Sequence, residues 1–187
     1  MKILTGRLRG QKILFRPGPN LRPTTDKARK AIFDMLQGAL EKKRVLDLFS
    51  GTGALGFEAL SQGAGHVTFV EQDPSQCKQI RESLKRWNLE GSAEVCCQDA
   101  LDWLKSRGDK KESFDFIFFD PPYGTALAGS TLKAVSATAL VSQGGFVVLE
   151  CRRKEDIPLS VGRLKAVREK RYGQTKVLVY AAKAGSS

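Results

Sequence analysis

Five short apolar runs recur along the chain, Val45–Phe49, Val67–Glu71, Ala93–Cys97, Phe114–Asp120 and Phe146–Glu150, and between them lie segments whose apolar residues repeat at the helical period. A strand that is apolar almost throughout has to be covered on both faces, and strands separated by helices return in parallel. The intervening segments Ala54–Gln62, Pro74–Trp87, Asp99–Arg107 and Leu127–Val141 supply the covering helices. The pattern therefore predicts an α/β fold, a mostly parallel sheet with helices on both faces. Beyond Glu150 the period changes to two: Val161–Tyr172 and Thr175–Ala181 read as longer strands joined at Gly173, a C-terminal antiparallel hairpin.

Ahead of this unit, Lys2–Thr5 and Lys12–Phe15 read as two short strands around Gly6–Gly10, a small N-terminal β-hairpin. The stretch Arg16–Pro23 holds three prolines, which remove amide donors, and serves as a connector. From Thr24 or Thr25 as N-cap, Ala28, Ala31, Ile32, Met35, Leu36, Ala39 and Leu40 form an apolar helical stripe, with Lys27 and Lys30 opposite. The expected organisation is a basic hairpin and connector over residues 1–23 followed by one domain over 24–187. A chain of 187 residues buries roughly 70% of its unfolded surface, enough for a core without covalent staples.

The formal charge of +11 is unevenly placed. Residues 1–30 carry +8 and residues 152–176 carry +6, which leaves −3 for the remainder. Two basic segments flanking a near-neutral centre read as a surface for a polyanion, because each Lys or Arg that meets a phosphate releases counterions. No apolar run is long enough to span a membrane and the N-terminal residues lack a signal-peptide core, so a cytoplasmic protein is expected. Cys77, Cys96, Cys97 and Cys151 have no CxxC spacing and read as reduced core thiols. His66 is the only histidine, so neither a His-based metal cluster nor a Ser-His triad is expected.

Gly51-x-Gly53-x-x-Gly56 follows the first strand and opens a helix, and Glu71 ends the second strand. Taken alone this matches a dinucleotide fingerprint, in which glycines admit a ligand to the backbone and the acid holds ribose hydroxyls. Asp47 shifts the reading. A pyrophosphate gains nothing from a carboxylate inside the strand, whereas the ammonium and sulfonium of S-adenosylmethionine do; Asp47 can equally accept hydrogen bonds from the loop amides. Asp99, after the third strand, suits an adenine amino group or the N-cap of the next helix. Trp87 and Trp103 fall at helical positions and read as core anchors.

The fourth run ends in Asp120-Pro121-Pro122-Tyr123. A carboxylate there can accept from an exocyclic amine, the Pro121 carbonyl is aimed by fixed geometry, and Tyr123 can stack on the base that carries the amine. Together, Arg22-Pro23-Thr24-Thr25-Asp26, the Asp47–Gly56 loop, Glu71, Asp120–Tyr123 and the closing Tyr172–Lys176 turn resemble the bacterial methyltransferases that modify guanine N2 in small-subunit ribosomal RNA. The resemblance covers nearly the whole chain. It implies a Rossmann-like methyltransferase fold, S-adenosylmethionine as donor, and small-subunit ribosomal RNA or its partly assembled particle as partner, with the protein acting as a monomer. It also implies catalytic roles for Asp120, Pro121, Pro122 and Tyr123, and cofactor contacts at Thr24, Asp47, Phe49, Gly51, Thr52, Gly53, Glu71, Gln72, Asp99, Ala100 and Asp120. Arg7, Arg9, Lys12, Arg16, Arg22, Lys27 and Lys30 are the cations expected to hold RNA phosphates. Rival readings are an adenine-N6 methyltransferase acting on DNA or RNA, an NAD-linked oxidoreductase, and an inert RNA-binding module.

Overall fold

The computed structural model describes residues 1–14, 26–107, 112–122 and 126–183. Eight strands form a single sheet: β1 (Arg44–Leu48), β2 (His66–Glu71), β3 (Ala93–Cys97), β4 (Phe114–Phe119), β5 (Val141–Arg152), β6 (Ser160–Val161), β7 (Leu164–Tyr172) and β8 (Thr175–Ala182). Their order is β3-β2-β1-β4-β5-β8-β7-β6. The first five are mutually parallel, while β8, β7 and β6 are added antiparallel. The chain moves outward from β1 to β3 and then returns to place β4 on the other side of β1. At such a reversal the C-terminal strand ends open a crevice.

Helices α1 (Asp26–Met35), α2 (Ala54–Ser61) and α3 (Pro74–Arg86) cover one face, burying Ile32, Phe33, Phe57, Ile80 and Leu84 against Phe116, Phe118, Val148, Val177 and Val179. Helices α4 (Ala100–Lys105) and α5 (Leu127–Ser136) cover the other, burying Trp103, Leu104, Leu132 and Val135 against Leu46, Phe114, Ile117, Phe119 and Leu149. Because neighbouring strand residues point to opposite faces, the unbroken Phe116-Ile117-Phe118-Phe119 run fills both cores at once. None of these helices is long and apolar enough to cross a membrane.

Among the described residues the N-terminal hairpin pairs through an antiparallel bridge, Lys2 to Lys12, flanked by Ile3 N–H donating to the Gln11 carbonyl (3.0 Å) and Ile13 N–H to the Met1 carbonyl (3.2 Å). The segment is docked rather than appended, since Ile3 and Ile13 lie in the α1–α3 core. A buried ion pair fixes it. Arg29 of α1, fully inaccessible, lies 3.3 Å from Glu58 of α2 and donates to the Lys2 carbonyl at 2.7 Å. Glu58 accepts from Leu4 N–H (2.7 Å), Thr5 N–H (3.2 Å) and the Thr5 hydroxyl (2.9 Å). Gly6 must be glycine: its φ is 72°, and a Cβ there would fall 2.1 Å from the Ser61 carbonyl oxygen.

Several boundaries differ from the sequence expectation for identifiable reasons. Helix α1 stops at Met35 because a turn with Gly38 at φ 77° follows; Leu36 and Leu40 remain buried but Ala39 is exposed. Helix α5 ends at Ser136, and Val141 already belongs to β5, whose apolar start continued the helical pattern without a break. The predicted Val161–Tyr172 strand is two strands, split by a turn at Gly162 (φ 52°). All four thiols are free, but only Cys77 and Cys151 are core residues; Cys96 is half-buried and Cys97 exposed on the outermost parallel strand. Trp103 is a core anchor, whereas Trp87 is half-buried and meets Phe57 edge-on at 5.0 Å. Phe15 at the end of the expected second strand, the connector residues Arg16–Pro23, the cap residues Thr24 and Thr25, and Tyr123 lie outside the described residues.

Candidate active site

The loop from β1 to α2 is shaped by three left-handed residues, Phe49 (φ 57°), Gly51 (φ 53°) and Gly53 (φ 74°). Two are glycines, for which this region carries no Cβ penalty; Phe49 is held there by what surrounds it. Ser50 is the holding residue. Its hydroxyl donates to the Asp47 carbonyl (2.6 Å) and accepts from Val70 N–H (3.1 Å), while its own amide donates to the Val70 carbonyl (3.0 Å). Gly56 lets α2 lie close to the sheet, since a Cβ there would sit 2.2 Å from the Phe69 ring.

Two carboxylates tie this loop down from adjacent strands. Asp47, 1% exposed, accepts from Gly56 N–H at 2.9 Å. Glu71 accepts from Gly51 N–H at 2.7 Å and from Asp73 N–H at 2.8 Å. Asp120 follows Phe119, the register partner of Leu48, so it enters the same edge of the sheet from the opposite side of β1. Burial pushes the Asp47 carboxyl well above the ordinary carboxylate range; the Gly56 amide partly opposes this, and the negative Asp120 and Glu71 reinforce it. The carboxyl groups of Glu71, at the end of β2, and Asp120, just past β4, thus both act on Asp47 at the crevice. Such a site favours a positively charged ligand, because a cation relieves both the desolvation of Asp47 and the mutual repulsion.

Other expected site residues surround this centre. Gln72 is exposed just beyond Glu71, and Thr52 is buried in the loop with its hydroxyl 3.8 Å from the Met1 sulfur. Asp99 caps α4, accepting from Leu101 N–H (2.9 Å) and Asp102 N–H (3.1 Å), and Ala100 is buried in the first turn. Pro121 is buried and Pro122 exposed. Arg7, Arg9, Lys12, Lys27 and Lys30 are all exposed, Lys30 paired with Asp34 at 2.7 Å. Sequence reasoning missed Arg29, Glu58 and Ser50. The signal was there for the first two: a charge at a core-facing position in an otherwise apolar helical stripe asks for a buried partner.

A parallel sheet with a reversal at β1 and β4, a glycine loop held by two acids, and an Asp-Pro-Pro at the facing strand end define an S-adenosylmethionine-dependent methyltransferase of Rossmann-like fold. Residues 1–181 match the family model described as Conserved hypothetical protein 95, and the chain belongs to that family. It is 34% identical over 180 residues to YlbH of Bacillus subtilis, covering 96% of this chain and 98% of that one. It is 29% identical over 184 residues to ribosomal RNA small subunit methyltransferase D of Escherichia coli, covering 98% and 91%. The solved structure of yhhF from Escherichia coli superposes with a TM-score of 0.84 at 30% identity, covering 99% of each chain.

Proposed function

We infer that the chain methylates the exocyclic N2 amine of a guanine in small-subunit ribosomal RNA, with S-adenosylmethionine as donor. The observation that carries the reading is the convergence of Asp47, Glu71 and Asp120 on one strand edge, with the first two already organising the glycine loop. Ribosomal RNA as acceptor is supported by the family relationship and by the basic N-terminal segment; guanine N2 is supported by the resemblance of the Arg22–Asp26 and Asp120–Tyr123 segments.

The fit of this chain to the donor is electrostatic. Asp47 and the Phe49–Gly53 loop would face the amino-acid end, Glu71 and Gln72 the ribose hydroxyls, and Asp99 and Ala100 the adenine. When bound, the donor supplies an electrophilic methyl group on a positive sulfur. Glu71 keeps acceptor capacity for the ribose hydroxyls, since a carboxylate has about four lone-pair sites and two backbone amides use two of them.

The work of the chain is on the amine. The N2 lone pair of guanine is delocalised into the ring, so it is a poor nucleophile until the amine is pyramidal. Asp120 and the Pro121 carbonyl accept its two N–H groups, favour that geometry and stabilise positive charge as it develops on nitrogen. The proton leaves the methylated nitrogen afterwards, so Asp120 acts by electrostatics without having to remove it first. Tyr123 offers a stacking surface to a base drawn out of its stack, worth about 1–3 kcal/mol.

The test is single-turnover methyl transfer to small-subunit ribosomal RNA, or to its assembling particle, followed by nucleoside analysis. Asp120→Ala is expected to slow the chemical step by about 10²–10³ with S-adenosylhomocysteine affinity retained. Wild-type rates in that variant would sink the mechanism. Recovery of N6-methyladenosine in place of N2-methylguanosine would sink the acceptor.

A further inference from the structure

The two basic segments, distant in sequence, are brought onto one face of the sheet. Helix α1, with Lys27 and Lys30 exposed, packs on β8 over Val177 and Val179. Strand β7 lies next to β8 on its outer side, and a register shift between Ala166 and Arg168 changes which of its residues share that face. Before the shift, Leu164 and Ala166 join the α4–α5 core. After it, Arg168 pairs with Val179 and Lys170 with Val177, which puts both cations on the α1 side. Glu169 goes to the other face, where it takes Arg171 at 2.6 Å. Alternation separates the strand's acid from these two bases, and the bulge decides that the bases take the α1 face.

The same face gains Arg152 at the crevice edge. Strand β5 runs three residues beyond Leu149, the register partner of Phe119, so Arg152 is placed at the strand edge that Asp120 also reaches. Arg152 pairs with Thr175, which pairs in turn with Tyr172, a residue packed on the α1–α3 core. Asp34, on α1, is engaged with Lys30, and Asp26 with the buried Arg29.

We propose that Arg168 and Lys170 of β7, on the face that α1 covers and leading to Arg152 at the crevice, form a second RNA-binding surface that takes phosphodiester groups flanking the methylated nucleotide. The proposal rests on the RNA-methylating reading above and adds a site that the N-terminal cations do not supply. Phosphate contacts of this kind position the nucleic acid without reading its bases. A two-residue β6 pairs only with Leu164 and Lys165, so Arg168–Tyr172 form an edge that no strand covers among the described residues. Charge there also deters edge-to-edge association. Replacement by Glu keeps that protection while removing the attraction for phosphate, which makes charge reversal the informative change.

The experiment titrates transcribed small-subunit ribosomal RNA with the full chain over a salt series, comparing wild type, Arg168→Glu/Lys170→Glu, and Arg7→Glu/Arg9→Glu/Lys12→Glu. The β7 variant is expected to bind about tenfold more weakly and to lose about 1.4–1.8 from the slope of log affinity against log salt, two contacts' worth, with S-adenosylhomocysteine affinity unchanged. Arg168→Gln/Lys170→Gln, with a smaller loss in the same direction, serves if the reversed chain fails to fold. Wild-type affinity and slope in the β7 variants, with loss confined to the N-terminal variant, would overturn the second surface and leave the proposed function standing. Absence of binding by wild type to both the RNA and its assembling particle would overturn both. Loss of binding to the assembled particle alone, with naked RNA held normally, would point to a protein partner and overturn the proposal.

Discussion

Replacing Glu58 with Met tests whether the buried ion pair is what fixes the N-terminal basic segment. The Glu58 carboxylate accepts from Leu4 N–H, Thr5 N–H and the Thr5 hydroxyl, and lies 3.3 Å from the inaccessible Arg29 guanidinium. Its loss leaves two backbone donors unpaired and a buried cation whose nearest remaining carboxylate is the Asp26 side chain, 69% exposed. Removing one member of a buried pair costs about 3–5 kcal/mol. For a chain of this size that is roughly a 6–20 °C fall in melting temperature. Arg29→Met should cost less, because the carboxylate it leaves behind still has three donors. The double variant should cost less than the sum of the singles, since the stranded charge is gone and only the Leu4 and Thr5 amides remain orphaned. Thermal and urea unfolding measure these terms. Limited trypsin digestion supplies the second readout: cleavage after Arg7, Arg9 and Lys12 should accelerate in Glu58→Met. A loss below about 1 kcal/mol, strictly additive singles, or unchanged tryptic protection would each refute the assignment.

Two further outcomes follow from the crevice. Gly56→Ala places a Cβ 2.2 Å from Phe69, itself fully buried against Phe57, so a destabilisation of about 1–3 kcal/mol with weakened S-adenosylhomocysteine binding is expected by unfolding and calorimetry. Asp47 is held above the usual carboxylate range in the free protein, and a cationic ligand favours its ionised form, so the complex binds fewer protons. S-adenosylmethionine affinity should therefore rise with pH, by at most about tenfold per unit, until the free carboxyl is ionised, and then level off. S-adenosylhomocysteine, which lacks the sulfonium, should show a shallower rise, and Asp47→Asn should abolish it; equal pH slopes for the two ligands would contradict the electrostatic reading.

The chain's local chemistry was enough to specify much of this architecture. Apolar runs of five to seven residues separated by helical repeats dictate a covered parallel sheet, because strands apolar on both faces have no other stable surroundings. Glycines at 51, 53 and 56 and acids at 47, 71 and 120 are likewise readable one by one, since the chemistry of each residue type is local. Their meeting at one strand edge is tertiary: it depends on β4 returning to the far side of β1, which no residue in either strand encodes alone.

What escaped local reading has a common cause, in that long-range pairing overrode local pattern. The Arg29–Glu58 pair joins residues on different helices, and the partners that justify burying it are backbone amides of a third segment. Asp99 suits both a cap and a ligand contact by residue type, and only the tertiary structure shows it accepting from the Leu101 and Asp102 amides. The β7 bulge is the clearest case. A uniform period of two would put Leu164, Ala166, Arg168 and Lys170 on one face, and only the shift in pairing against β8 moves the two cations across to join α1. Periodicity fixes which residues within a strand share a face, but a register belongs to two strands together and is decided by the side chains that both must bury.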